Sequence, residues 1–142
     1  MRTQILKGAS LALVLGVLAL SAPAPVAAAD IRANVPFSFT VSKKVLPPGK
    51  YDVSNSAAHT LLIRGFGAGA VVMSQKAESA TATSPKLVFH RYGDEYILRE
   101  VWMGSASGHK LPETRREREL AMGRSGGATA SATFETVEVA IQ

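Results

Sequence analysis

The 142-residue chain has 46% apolar and 19% charged residues, no cysteine and a formal charge of +5. That length suits one domain and excludes an enzyme built from separate cofactor and substrate domains; the apolar share excludes a wholly disordered chain. Without disulfides to staple it, the folded part must hold together by burial alone.

The first 29 residues read as an export signal, with Arg2 and Lys7 ahead of the apolar run Ser10 to Leu20 and small residues Ala27-Ala28-Ala29 before Asp30. An apolar run of about 11 residues is too short to cross a bilayer, which takes roughly 20. No cysteine follows it, so a lipid anchor is not expected, and Arg2 alone makes no twin-arginine signal. Cleavage after Ala29 takes 29 residues from 142, leaves 113, and lowers the charge from +5 to +3 because Arg2 and Lys7 go with it. The expectation is a periplasmic or secreted chain with no membrane span after cleavage. A charge of +3 without a dense basic stripe gives no nucleic-acid footprint.

From Ile31 to Val41 the odd positions are apolar and most even ones polar, a period of two that predicts one half-buried strand. Pro36 cannot donate to a ladder and marks an edge, a start or a bulge. Pro47-Pro48-Gly49 predicts a type II turn with Gly49 at positive φ. Strands follow around Tyr51 and Val53, around Leu61 and Ile63, and from about Ala70 to Lys76, with the Gly-rich 65–69 stretch between the last two. That stretch lacks the GK[ST] ending and opens no helix, so it does not read as a phosphate loop. Residues 77–85 read as a flexible surface loop.

The clearest hairpin is Lys86 to Tyr92 and Glu95 to Met103 about Gly93-Asp94, with Gly first as a type II′ turn prefers. Its register sets Tyr92 opposite Glu95, Arg91 opposite Tyr96, His90 opposite Ile97, Phe89 opposite Leu98 and Leu87 opposite Glu100. Phe89, Tyr96, Leu98 and Trp102 then share a face with Arg91 and Glu100. The other face, with Val88, His90, Tyr92, Ile97, Arg99, Val101 and Met103, is too apolar to lie open, so cover on both faces is expected, from a second sheet on one side and a helix or tail on the other or from a small barrel with one covered flank. Arg91, Tyr92, Tyr96, Arg99 and Trp102 form the candidate ligand or contact surface, beside the plainer reading of ordinary cross-strand pairs.

After the GSASG loop, Thr114-Arg115-Arg116-Glu117 has the form of a capping box, with Gly123 beyond, predicting a short helix over about 114–122. Its mixed-sign RRERE run reads as a solvated face, docked by Leu120 and Met122. Residues 124–132 read as a linker, and Phe134 to Ile141 regain alternation with Val137, Val139 and Ile141 on one side, which reads as a final strand in preference to a loose tail.

Chemistry-bearing patterns are sparse. The three histidines, His59, His90 and His109, show no metal-ligand spacing, and there is no G-x-S-x-G elbow. Asp94-Glu95 sit where a hairpin turn explains them. No catalytic, cofactor-binding or metal residues are assigned.

The segments VPFSFTV (35–41), LPPGKYDV (46–53), KLVFHRYGDEYIL (86–98), VW (101–102) and LPETRRERELA (111–121) together resemble a family of small exported proteins of acidobacteria. The resemblance covers most of residues 31–122 and implies an exported, signal-bearing β-domain; it implies no reaction and carries over no catalytic residue. Pro48 stands where a small residue is expected, and the Gly/Ala/Thr-rich tail after Arg124 falls outside the likeness.

The sequence therefore predicts a signal peptide (1–29), an all-β domain (30–123) with one short C-terminal helix, and a linker with a final strand (124–142). The domain is an antiparallel β-sandwich or small barrel of six or seven strands. The function expected is that of a non-enzymatic module that needs no cofactor and meets an envelope or extracellular partner. The alternative is a carrier holding a small apolar ligand among Phe37, Phe39, Phe89, Tyr96 and Trp102.

Overall fold

The computed structural model describes residues 30–82, 84–124 and 134–141; the signal peptide expected over 1–29 and most of the expected linker lie outside the described residues. In β1 (Ile31–Val35) Ile31, Ala33 and Val35 are buried and Arg32 and Asn34 exposed, as a period of two requires. The alternation continues into β2 (Phe39–Val41), but the single expected strand is two. Pro36, with no N–H for a ladder, lies in the break, and there the chain passes from one sheet to the other.

A turn at Ser42 (φ 57°) leads into β3 (Lys44–Leu46). Gly49 does not take the positive φ expected of it. Pro47 and Pro48 carry the chain across to the first sheet instead of reversing it, the Tyr51 hydroxyl donates to the Pro47 carbonyl (2.6 Å), and Gly49 enters the ladder opposite Val35 at the start of β4 (Gly49–Ala57). β5 (Thr60–Gly65) and β6 (Ala68–Met73) follow, and this sheet has the antiparallel order β1-β4-β5-β6. At Ser74 the chain crosses again, into β7 (Gln75–Glu78).

The second sheet adds β8 (Lys86–Tyr92), β9 (Glu95–Gly104), β10 (Ser107–Lys110) and, after α1 (Arg115–Arg124), β11 (Glu135–Ala140). Its order is β11-β8-β9-β10-β7, with β2 also on β9 and β3 on β2. Among the described residues the result is a sandwich-like all-β fold of one four-stranded and one seven-stranded sheet with a single short helix. Its eleven strands exceed six or seven because stretches that read as one strand split where the chain changes sheet, and because the region read as a loop after Met103 contains β10. Phe39, Leu46, Leu61, Ile63, Phe89 and Leu98, each at most 1% exposed, fill the space between the sheets. Phe39 meets Tyr51 and Phe89 edge-on, at 5.2 and 5.4 Å between ring centres.

The β8–β9 hairpin turns as expected: Gly93 has φ 65° and Asp94 does not, the type II′ pattern. The register runs as predicted from Tyr92–Glu95 to Phe89–Leu98 and then slips, because Arg99 has no opposite number. Val88 faces Glu100 and Leu87 faces Val101, not Glu100. This β-bulge sends later side chains of β9 to the opposite faces from those expected. Val101 and Met103 therefore join Phe89 and Leu98 in the core, while Trp102 packs with Val88 and Ala82 on the other side. Gly108 of β10 lies directly under the Trp102 ring, where a Cβ would collide with it.

The segment expected as a flexible loop is tied down. Ser79 N–H donates to the Ala106 carbonyl (3.0 Å), Ala106 N–H donates to the Ala82 carbonyl (3.3 Å), and Ala82 is buried. Ser105 (φ 55°) and Ala106 (φ 62°) make the two-residue β9–β10 turn, both in the left-handed region without being glycine. The expected final strand is present as β11, paired to β8 from Glu135–Arg91 to Ala140–Lys86, with Ile141 bridging to Ala33 of the first sheet.

Candidate functional site

The helix start follows its sequence only in part. Thr114 Oγ1 accepts the Glu117 N–H (3.1 Å) and the Thr114 carbonyl accepts from Arg118 (3.1 Å), as an N-cap should. The Glu117 side chain goes into the protein, where it is 2% exposed. Its Oε1 lies 3.1 Å from His90 Nδ1 and accepts the Tyr92 hydroxyl at 3.2 Å. Its Oε2 lies 3.1 Å from an Arg99 guanidinium nitrogen, close enough for an ion pair but out of line for a hydrogen bond, and neither atom has a hydrogen-bond partner among the described residues.

Local structure explains the convergence. His90 and Tyr92 are two apart on β8 and so share a face, and Arg99 reaches that face from the bulge. Phe134 stacks on the His90 ring at 3.8 Å and 15°. The expected solvated run docked by Leu120 and Met122 is thus corrected: Met122 is 72% exposed, and the buried residue of RRERE is its central glutamate. The flanking charges do stay outside, Arg115 pairing with Glu119 (2.9 Å) and Arg116 with Glu95.

Burial alone would raise the Glu117 pKa, but the His90 hydrogen bond, the Arg99 charge and the Tyr92 hydroxyl outweigh it and hold the carboxyl below its ordinary 4.5. Burial, reinforced by the Glu117 charge, pushes the Tyr92 phenol up to about 12. At neutral pH the pair is a fixed carboxylate and a fixed phenol, with neither group poised to exchange a proton.

Of the five residues singled out from sequence, only Tyr92 and Arg99 come together here. Arg91 lies over the Tyr96 ring (5.4 Å) and Tyr96 stacks on Phe37 (3.9 Å), while Arg91 also pairs with Glu135 (3.1 Å). Trp102 is elsewhere, its indole N–H donating to Glu100 (2.8 Å). The aromatics considered for an apolar ligand divide likewise: Phe37, Phe39, Phe89 and Tyr96 touch one another, and Trp102 packs apart from them.

Sequence reasoning missed Glu117 as a partner for His90, and it missed a second polar pair. Ser74 Oγ lies 3.0 Å from His109 Nδ1 where β6 passes into β7, with both residues at most 4% exposed. Burial first, then the charges of Lys76 and His59, hold the His109 imidazole below 6.5. A serine beside a neutral histidine has the elements of an activated nucleophile, but this one is closed to solvent at the end of the core. Among the described residues no group of three or more His, Cys, Asp or Glu side chains could hold a metal.

The outer face of the first sheet is open. Val72 points into the core, so Val71 and Met73 point out, 66% and 67% exposed, with half-buried Leu62 opposite Val71 and Thr60 opposite Met73. The next row reads Arg32, Asp52, Arg64, Gly69 across the four strands, with Arg32 paired to Asp52 at 2.7 Å. Phe66, at the tip of the β5–β6 hairpin, is fully exposed. Beside β6, Lys44 donates to the Gly69 carbonyl (2.7 Å), and Val45 is 68% exposed. No protein family matches the chain, and neither a curated protein nor a solved structure does.

Proposed function

We propose that the protein is an exported β-sandwich module that acts by surface contact and not by turnover. The observation that carries this reading is the outer face of the first sheet, where Val71, Met73 and the hairpin-tip Phe66 stand in solvent while the core between the sheets is filled. Large exposed apolar side chains grouped on one face mark a contact surface. The polar clusters support the same reading, since Glu117 with its partners fastens the helix and Ser74 with His109 closes one end of the core. The leader over 1–29 supports export.

The test recovers the protein from the envelope and culture fractions of its own host and weighs it natively and denatured, alongside a broad hydrolase screen. A denatured mass matching Asp30 to Gln142 and no turnover are expected. Turnover abolished by Ser74→Ala or His90→Ala would overturn the contact reading, and a mass that retains residues 1–29 would overturn cleavage of the leader.

A further inference from the structure

The charge of the chain is unevenly placed. Residues 30–82 carry six Lys and Arg against three Asp and Glu, whereas residues 84–141 carry eight of each. The whole surplus therefore belongs to the first sheet and the strands beside it. Of the three acids in 30–82, Asp52 is paired with Arg32, Asp30 lies beside Arg32 just ahead of β1, and Glu78 shares β7 of the second sheet with Lys76, which it offsets. Lys43, Lys50 and Arg64 are exposed and make no ion pair among the described residues. Lys43 and Lys44 sit at the β2–β3 turn, which Lys44 ties to β6 through Gly69.

These cations surround the exposed apolar residues. Arg64 is in the same β5–β6 hairpin as Phe66, two positions before it, and Lys50 is exposed on β4 two positions before Asp52, opposite Asn34. Phe66 rises from a turn with no wall around it. A protein partner would need a pocket shaped for that ring, whereas the headgroup region of a bilayer accepts an aromatic side chain without a shaped recess and draws cations to anionic lipid.

We infer that the outer face of the first sheet, with the β5–β6 tip leading, docks on an anionic lipid surface. Phe66 enters the headgroup boundary with Val71 behind it on the same face, and Lys43, Lys44 and Arg64 meet lipid phosphates. The inference rests on the contact-module reading and specifies its partner. The binding proposed is peripheral, and among the described residues no helix is long and apolar enough to cross a membrane.

Co-sedimentation tests it, using the protein as its host produces it, with vesicles of phosphatidylglycerol mixed into phosphatidylcholine and with phosphatidylcholine alone. Binding is expected to the mixed vesicles, much weaker binding to the neutral ones, and loss of binding at about 0.5 M salt. Phe66→Ser should weaken binding about tenfold, the effect of withdrawing part of an aromatic side chain from an apolar phase. Lys43→Glu with Lys44→Glu should weaken it about tenfold or more. All three positions are exposed, so an unchanged melting midpoint will show that the fold is intact. Equal binding to both vesicle types, no binding, or binding unaffected by both variants overturns the lipid assignment. Recovery of an acidic protein on this face with no vesicle binding does the same in favour of a protein partner. In each of those cases the contact reading is judged separately, by the turnover screen.

Discussion

Replacing Glu117 by Gln preserves the shape of the side chain and removes its charge, which isolates what the carboxylate does. Breaking a buried ion pair by removing one partner costs about 3–5 kcal/mol where the remaining charge stays dry. Here the side chains left behind, Arg99 and His90, are each 20% exposed, so water relieves part of that cost. A loss of about 2–3 kcal/mol is expected, and at about 3–6 °C per kcal/mol for a domain near this size the melting midpoint should fall by about 6–18 °C. The assay is urea unfolding at pH 7 followed by Trp102 fluorescence and by far-UV circular dichroism. The double variant Glu117→Gln, Arg99→Gln should lose less than the two single losses added, because the carboxylate and the guanidinium act on each other. A Glu117→Gln loss below about 0.5 kcal/mol, the size of an ordinary surface change, would refute the claim that this carboxylate fastens the helix.

Three further outcomes follow from the same physics. Because the folded Glu117 pKa lies below its ordinary 4.5, its contribution is fully present above that value and is lost as the pH falls through the folded pKa, so acid unfolding should be shallower in Glu117→Gln. Tyr92 behaves oppositely: with its phenol raised from 10 to about 12, its contribution is present below pH 10 and is lost as the pH rises towards 12, and Tyr92→Phe should remove that alkaline slope in a stability–pH curve. At the turns, Gly93→Val (φ 65°) should cost about 1 kcal/mol or more and Ala106→Gly (φ 62°) should gain about 0.5–1 kcal/mol, both read as shifts of the urea midpoint.

The turn residues and the alternation carried most of the fold. Gly93 set the hairpin register as far as Phe89–Leu98, and the odd-numbered apolar residues from Ile31 to Val41 are on the core side in both strands they form. The bulge at Arg99 was not legible, because an extra residue in a ladder leaves no mark on a single strand's composition; its effect appears only against the facing strand. That one slip explains why Trp102 was grouped with Phe89, Tyr96 and Arg91 and instead packs apart from them; Tyr92 and Arg99 were on the other face from Arg91 and Tyr96 already in the expected register. Glu117 was read by its local role, as the last residue of a capping box. His90, Tyr92 and Arg99 lie 18 to 27 positions away along the chain, so the competition that drew its side chain inward belongs to tertiary structure. The exposed Val71 and Met73 were visible only as members of a strand, since alternation shows that a face exists and not which face the core occupies.

The chain changes sheet three times, after β1, after β3 and after β6. Each crossing stitches the two layers covalently near an edge, and the Ile141–Ala33 bridge adds a non-covalent stitch at another. Layers joined only through one long connection could peel apart as separate units. Here the chain alternates between the layers, so neither can leave the other without pulling on the connections at Pro36, Pro47–Pro48 and Ser74, and local opening has few places to begin. The amides of β1, β4, β8 and β9 are therefore expected to exchange together as one cooperative unit, and the layers are held to each other without a disulfide.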